Sequence, residues 1–396
     1  MISFDEASRK VLDYPLNLGD ERITLLQGTG RILAEDIEAD RDFPPFDRST
    51  KDGIAINFSA IERGIDRFKI EGTLSAGMAQ KTLSSDANCF EIMTGAVLPK
   101  AADTIIMYEE TDIKNEWVTI SKTPNKGQNI HSQGSDEKAG AVLLEKGTII
   151  TAAVVGVLAS VGKSEVLVKK LPKVCVISTG NELVEVSETP LPHQIRKSNT
   201  LSLTAALEKA SITPARLHLP DDRTIIEKEL RKALAEYDVL MISGGVSKGK
   251  FDFIPDALEA LGVQKVFHRV AQRPGKPFWF GIQSAEQKVV FSFPGNPVST
   301  FANYHVYFLP WLAKTLGIDP KKRSVILDEP VRPHPILTLF LQVKTAWYEG
   351  RLHAKLVQGN GSGDLVSLTK SEGFIRVLAG ESEISEGNVF WFIPYA

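Results

Sequence analysis

Ser243-Gly244-Gly245-Val246-Ser247-Lys248-Gly249 follows directly on the apolar run Val239-Leu240-Met241-Ile242. Adjacent glycines let backbone N–H groups close in on an oxyanion, and Ser243 and Ser247 add hydroxyl donors. The spacing is not that of a Walker loop, and a Gly-Gly pair alone is as well read as a flexible strand-to-helix turn. Its place after a strand matters more, because open parallel sheets bind ligands at the carboxyl ends of their strands. Two further turns have the same placement. Ser178-Thr179-Gly180-Asn181-Glu182 follows an apolar run at 173–177, and Phe293-Pro294-Gly295-Asn296-Pro297 follows one at 288–292. Each is weak evidence alone; in one parallel sheet, three such turns converge on one edge.

Carboxylates accompany these turns at Glu182, Asp221, Asp222 and Asp252. Asp and Glu beside a phosphate-binding loop suit Mg²⁺, which takes one or two carboxylates and completes its shell with water. Asp222 also reads as the N-cap of the helix that follows it, and Asp252 as a cap for a helix opening near Pro255. Positive charge comes from His268-Arg269-Val270-Ala271-Gln272-Arg273-Pro274-Gly275-Lys276-Pro277, where Arg273 and Lys276 flank a rigid Pro-Gly turn. Arg grips an oxyanion bidentately and Lys acts as a point charge; the bland alternative is a solvated basic loop. Nearer the N-terminus, Asp52-Gly53, Met93-Thr94-Gly95 and Gly134-Ser135-Asp136 would each pass as an ordinary turn.

The elements that must position these groups are legible from periodicity. Ser3 and Glu6 form a capping-box pattern for a first helix with Phe4, Ala7, Val11 and Leu12 on one face. Residues 43–137 carry short β-like runs (Ile54-Ala55-Ile56, Thr104-Ile105-Ile106-Met107, Trp117-Val118-Thr119-Ile120), which predict a compact β-rich domain. The stretch 138–171 reads as β structure with a short helix near 151–161. From Pro172, nearly continuous apolar runs alternate with helical stretches at 199–210 and 223–236, the latter with Ile225, Ile226, Leu230, Ala233 and Leu234 on one side. That alternation predicts a parallel, doubly wound sheet. After about Pro320 the helical period disappears, and apolar runs at 339–343 and 389–393 suggest a small β-barrel or sandwich.

Composition narrows the function classes. The 396 residues are 43% hydrophobic and 24% charged, with a formal net charge of -3. There is no polyelectrolyte signature, so nucleic acid is not expected as a partner. Cys89 and Cys175 are the only cysteines, too few for a disulfide framework or a cysteine zinc site. No run reaches the ~18 apolar residues of a membrane span, and the N-terminus lacks a signal-peptide pattern. A soluble, cytoplasmic protein without membrane association is expected.

The segments are more specific together than singly. Phe46-Asp47-Arg48-Ser49 through Asp52-Gly53, Met93-Thr94-Gly95-Ala96, Gly127-Gln128-Asn129-Ile130 and Ser178-Thr179-Gly180-Asn181-Glu182-Leu183 are followed by Ser243-Gly244-Gly245-Val246-Ser247, Pro274-Gly275-Lys276-Pro277 and Pro294-Gly295-Asn296-Pro297. In order and approximate spacing the series resembles the molybdopterin molybdenumtransferases, a family related to the C-terminal domain of gephyrin. The resemblance implies a multidomain α/β protein. A doubly wound molybdopterin-binding domain would form from 1–20 and 172–318, an extended β linker from 21–42 and 138–171, a β-rich domain from 43–137 and a C-terminal β-barrel from 319–396. It also implies a homodimer that inserts molybdate into adenylylated molybdopterin, releasing AMP with the help of Mg²⁺. A molybdopterin adenylyltransferase and apo-molybdoenzymes would be its partners.

Carried onto matching positions, the family places Asp221 and Asp252 by the Mg²⁺, and Glu182, Asp52, Thr94 and Asp136 in the catalytic cleft. Ser247 and Gly244-Gly245 would face the pterin phosphate, and Arg273, with Pro274, would help receive molybdate. Ser243, Arg269, Lys276, Pro294, Gly295 and Asn296 would also bind substrate. The chain differs where family members often carry Lys for Arg273, Met for Lys51 and an Arg-rich loop for His131-Ser132-Gln133. A receptor-anchoring scaffold and the related adenylyltransferase are the competing functions; the latter lacks counterparts of 43–137 and 319–396.

Overall fold

A computed structural model describes residues 1–246, 252–319 and 322–395, which fold as two compact units. The chain passes between them near residues 22, 29, 32 and 166. No helix among the described residues is long and apolar enough to cross a membrane.

The larger unit (1–22, 30–32 and 167–396) is built on a six-stranded sheet. Its spatial order is Ala215–Leu219, Val174–Thr179, Val239–Ser243, Lys288–Phe293, Trp279–Gln283 and Gln264–His268. The first four strands run parallel. Alternation explains why a continuous apolar run suits them. Val174, Val176, Val239 and Met241 pack into a core shared with the helices Phe4–Leu12, Ser198–Lys209 and Pro297–Asn303. Cys175, Ile177, Leu240 and Ile242 face the opposite core, under Arg223–Glu236 and Ile254–Ala260. Both faces are covered, so the segments 174–177 and 239–242 are apolar throughout.

Three local expectations change. The sheet is extended by two antiparallel strands, Trp279–Gln283 and Gln264–His268, which the helix-strand alternation does not signal. Ile225 is exposed, because the buried stripe of its helix is Ile226, Leu230, Ala233 and Leu234. The helix Ile254–Ala260 is capped by Phe253 without a side-chain cap, so Asp252 does not cap it. The first helix starts as its sequence dictates: Ser3 Oγ accepts the Glu6 N–H at 3.1 Å, and Phe4, Ala7 and Val11 are buried.

After residue 322 the chain closes a five-stranded barrel. Thr338–Tyr348 pairs with Arg351–Leu356, that strand with Arg323–Leu327, then Val389–Pro394, then Gly373–Val377, which returns to Thr338–Tyr348. Closure leaves no unpaired edge among these five strands.

The smaller unit (23–29 and 33–166) holds the predicted runs in one mixed six-stranded sheet. Gly53–Ile56 lies next to one edge of it, between Asn88–Ile92 and the edge strand Thr104–Met107. The short helix is Ala152–Ser160. Both cysteines are free and buried, and burial lifts each thiol to about 12.

Gly53 has no room for a side chain: a Cβ there would collide with the Ile106 backbone carbonyl. Gly53→Ala should therefore lower the unfolding free energy of the smaller unit by ~1–3 kcal/mol or more, as overpacking against backbone does. A denaturant titration followed within this unit, unchanged from wild type, would refute that reading.

Candidate functional site

The parallel strands end in one row. Pairing of Thr179 with Leu219, and of Ser243 with Ser178 and Phe293, sets all four carboxyl ends at one level. The three glycine turns therefore lie side by side. Gly244 and Gly245 have φ of +102° and +70°, where L side chains are strained. Space also excludes them, since a Cβ on Gly244 would lie 2.8 Å from Thr179 Oγ1 and one on Gly245 2.7 Å from Ile254 Cγ1.

A side chain that the sequence did not mark ties the turns together. Asn199 Nδ2 donates to Ser243 Oγ at 2.9 Å and to the Gly295 carbonyl at 2.7 Å. Gly244 N–H donates to the Phe293 carbonyl at 3.1 Å. Thr300 Oγ1 donates to the Pro294 carbonyl at 2.5 Å. Ser243 is thus buried and engaged, holding loops together. Asn296 precedes the helix Pro297–Asn303, with Pro297 in its first turn as expected, and its amide donates to Ser362 Oγ at 2.8 Å. Ser247, a predicted phosphate donor, lies outside the described residues.

The carboxylates divide by role. Asp222 caps its helix, its Oδ1 accepting from the Ile225 N–H at 2.9 Å. Asp221 and Asn181 clamp each other: the Asn181 N–H donates to Asp221 Oδ2 and the Asp221 N–H to Asn181 Oδ1, both at 3.2 Å. That clamp holds the turns after Leu219 and Thr179 together and keeps the Asp221 carboxylate half-buried beside them. Glu182 folds back over Gly180, whose added Cβ would meet its carboxylate. No group of three or more His, Cys, Asp or Glu is placed to share a metal ion among the described residues.

Arg273, Pro274 and Lys276 line a cleft of about 550 Å³ together with Pro294 and Asn296. The barrel supplies another wall, including Leu337, Phe340 and Gln342, and Ser362 closes a side. Neither barrel contribution has a sequence signal. Arg273 and Lys276 are exposed, whereas the backbone between them is fixed from below. The fully buried Gln272 donates through Nε2 to the Pro274 carbonyl at 2.9 Å and to Asn303 Oδ1 at 2.8 Å. Its Oε1 accepts from the Tyr307 hydroxyl, and Asn303 Nδ2 donates to the Gly275 carbonyl at 3.4 Å. Arg269 is placed differently: it does not line this cleft, and its buried Nε finds no partner among the described residues.

In the smaller unit, residues 42 positions apart meet. Asp52 Oδ1 accepts from the Thr94 N–H at 2.6 Å and from its hydroxyl at 2.8 Å. The amide first and the hydroxyl second hold the Asp52 carboxyl below its usual range. Asp136 belongs to a relay. Arg48 Nη2 lies 3.2 Å from His131 Nδ1, and His131 Nε2 lies 2.8 Å from Asp136 Oδ1. Arginine only donates, so Nδ1 accepts and Nε2–H points at Asp136.

The chain matches three family models in succession: the MoeA N-terminal region (domain I and II) over residues 2–162, the probable molybdopterin binding domain over 175–332, and the MoeA C-terminal region (domain IV) over 324–395. It is 37% identical to a molybdopterin molybdenumtransferase of Synechocystis, with 100% of both chains covered. A Bacillus subtilis protein of the same description is 32% identical, covering 98% of this chain and 92% of that one. Among solved structures, a molybdopterin biosynthesis MoeA protein from Pyrococcus horikoshii superposes with a TM-score of 0.83 at 30% identity, with 100% of both chains covered.

The Asp52–Thr94 pair is open to direct titration. A carboxyl depressed on folding contributes stability that is complete above the ordinary carboxylate range and lost as pH falls through the folded value. Thr94→Val removes the hydroxyl and keeps the amide, so the Asp52 pKa should rise part of the way to its ordinary value. Side-chain carboxyl NMR across acidic pH measures this; an unmoved midpoint would remove the hydroxyl from the account.

Proposed function

Because the chain belongs to the molybdopterin molybdenumtransferase family, we propose that its residues divide between them the insertion of molybdate into adenylylated molybdopterin with release of AMP. The observation that carries the assignment is the cleft at Arg273 and Lys276. Two cations stand on a turn whose backbone is locked by Gln272 and Asn303. Molybdate is a tetrahedral dianion, and preorganised charge binds such an ion without reorganising when it arrives. Beside the cleft, Gly244-Gly245 and Pro294-Gly295-Asn296 present backbone close to the surface, suited to the pterin and its phosphate.

Asp221 and Asp252 would hold Mg²⁺. The all-oxygen donor set fits this cation, with water and substrate phosphate completing its shell. When bound it would neutralise charge developing on the phosphoanhydride as AMP leaves. Glu182, beside the Asn181–Asp221 clamp, would orient the groups around that phosphate. The Asp52–Thr94 pair and Asp136 would face substrate from the second subunit of a homodimer. Substrate would come from a molybdopterin adenylyltransferase, and the product would pass to apo-molybdoenzymes.

Molybdate titration tests the cleft. Arg273→Ala should raise the concentration for half-maximal insertion ~10- to 100-fold, the cost of one charge-assisted contact. Arg273→Lys should recover much of the loss, because charge matters more than a bidentate fork here. Superimposable titrations for wild type and Arg273→Ala would remove the residue from the molybdate site.

Subunit mixing tests the dimer. Asp52→Ala and Asp252→Ala should each be inactive, and mixing them should restore part of the activity through hybrids with one intact site. Persistent inactivity despite verified subunit exchange would exclude a shared cleft.

A further inference from the structure

A second cavity, of about 480 Å³, opens at the other border of the parallel sheet and shares no residue with the Arg273 cleft. Its floor is the strand pair Val174–Thr179 and Ala215–Leu219, in which Ser178 stands opposite His218. Their side chains meet, Ser178 Oγ lying 3.0 Å from His218 Nδ1. Arg216 projects from the same border strand, two residues before His218 and so on the same face. The helix Ser198–Lys209 begins on the cavity wall with no side-chain cap; its cap position is Lys197, whose ammonium lies 2.5 Å from Glu185 Oε1.

The second feature is independent of that helix end. Thr200, in the first turn and on the cavity wall, is 6% exposed, and its hydroxyl has no partner among the described residues. A buried hydroxyl without a partner is costly, and a polar ligand would supply one. Charge points the same way. Lys197, His218 and Arg216 all hold the Glu185 carboxyl below its usual range. Burial, with Lys197 next, keeps His218 below its ordinary value. The lining thus carries two cations, Lys197 and Arg216, with the Glu185 carboxylate mostly exposed at the rim and Glu182 within electrostatic reach of His218. Leu201 and Pro214 complete it with apolar surface.

We propose that this cavity binds a small phosphomonoester, with the dianion against Lys197, Arg216 and the first turn of Ser198–Lys209, and the organic part on Leu201 and Pro214. The volume is within the range of small-molecule sites, ~300–1,000 Å³, and exceeds the need of a bare oxyanion. None of the residues assigned to molybdate insertion lines it, although Glu182 lies within electrostatic reach of His218.

Calorimetric titration of the full-length protein with phenyl phosphate tests the proposal, with inorganic phosphate and phenol as comparison ligands. Phenyl phosphate should bind severalfold more tightly than inorganic phosphate, and phenol should not bind measurably. Arg216→Glu should weaken phenyl phosphate ~10-fold or more, the scale of a lost charge-assisted contact. Thr200→Val is nearly isosteric and removes an unpartnered hydroxyl, so it should weaken binding without lowering the melting temperature. Arg273→Ala should leave binding unchanged whether or not Arg273 receives molybdate. Equal affinity for inorganic phosphate would overturn the phosphomonoester assignment. Unchanged binding in both cavity variants, or loss in Arg273→Ala alone, would overturn the site itself.

Discussion

The carboxamide of Gln272 is fully buried, and a buried polar group is tolerated only when its hydrogen-bonding capacity is met. Here each side of the amide is used, by the Pro274 carbonyl and Asn303 on the donor side and Tyr307 on the acceptor side. The partners belong to separate parts of the larger unit: the turn that carries Arg273 and Lys276, and the helical segment that follows the Pro294-Gly295 turn. One side chain therefore sets the position of the cationic turn relative to a glycine turn. Gly275 completes the constraint, since any side chain there would occupy the space of Asn303 Oδ1. The side chains of Arg273 and Lys276 are exposed to solvent, while the backbone between them is held by these hydrogen bonds.

Beneath this network lies an aromatic core that joins sheet and barrel. Phe4 of the first helix packs edge-on against Phe340 of the barrel, ring centroids 4.9 Å apart, and lies 5.4 Å from Tyr307. The Arg376 guanidinium covers the other side of Phe4 at 4.7 Å and also pairs with Asp5. Tyr307 consequently serves twice, its ring in the apolar core and its hydroxyl on Gln272. Burial lifts that phenol well above its ordinary range, so it stays a hydrogen-bond donor at any physiological pH.

The smaller unit uses another device. Asp52 precedes Gly53 at the start of an interior strand, and its carboxylate takes both donors of Thr94. Gly53 allows the Ile106 backbone to pass close by, fixing the base of the Asp52 side chain. The relay of Arg48, His131 and Asp136 shows what this chain does in a loop where family members often carry arginines. Its imidazole links the Arg48 cation of the strand Arg48–Ser49 to the loop carboxylate Asp136.

Local pattern was enough for much of this. Covered-sheet strands such as Val174–Thr179, the helix Arg223–Glu236 with its Asp222 cap, and the strands at 54–56, 104–107 and 117–120 follow from short-range periodicity and turn chemistry. The convergence of three glycine turns was also legible, because parallel strands must end on the same side. Long-range polar pairing was not. Asn199, Gln272 and Asn303 carry no sequence mark, since an amide in a helix or strand looks the same whether it faces water or bridges two loops. The antiparallel strands at 264–268 and 279–283 were hidden because a short apolar run does not state its direction. The barrel wall of the Arg273 cleft was equally hidden, because residues more than 60 positions apart meet only when the barrel closes against the sheet. Sequence fixes which residues can do chemistry; only packing decides which of them share a cleft and which are spent holding it in place.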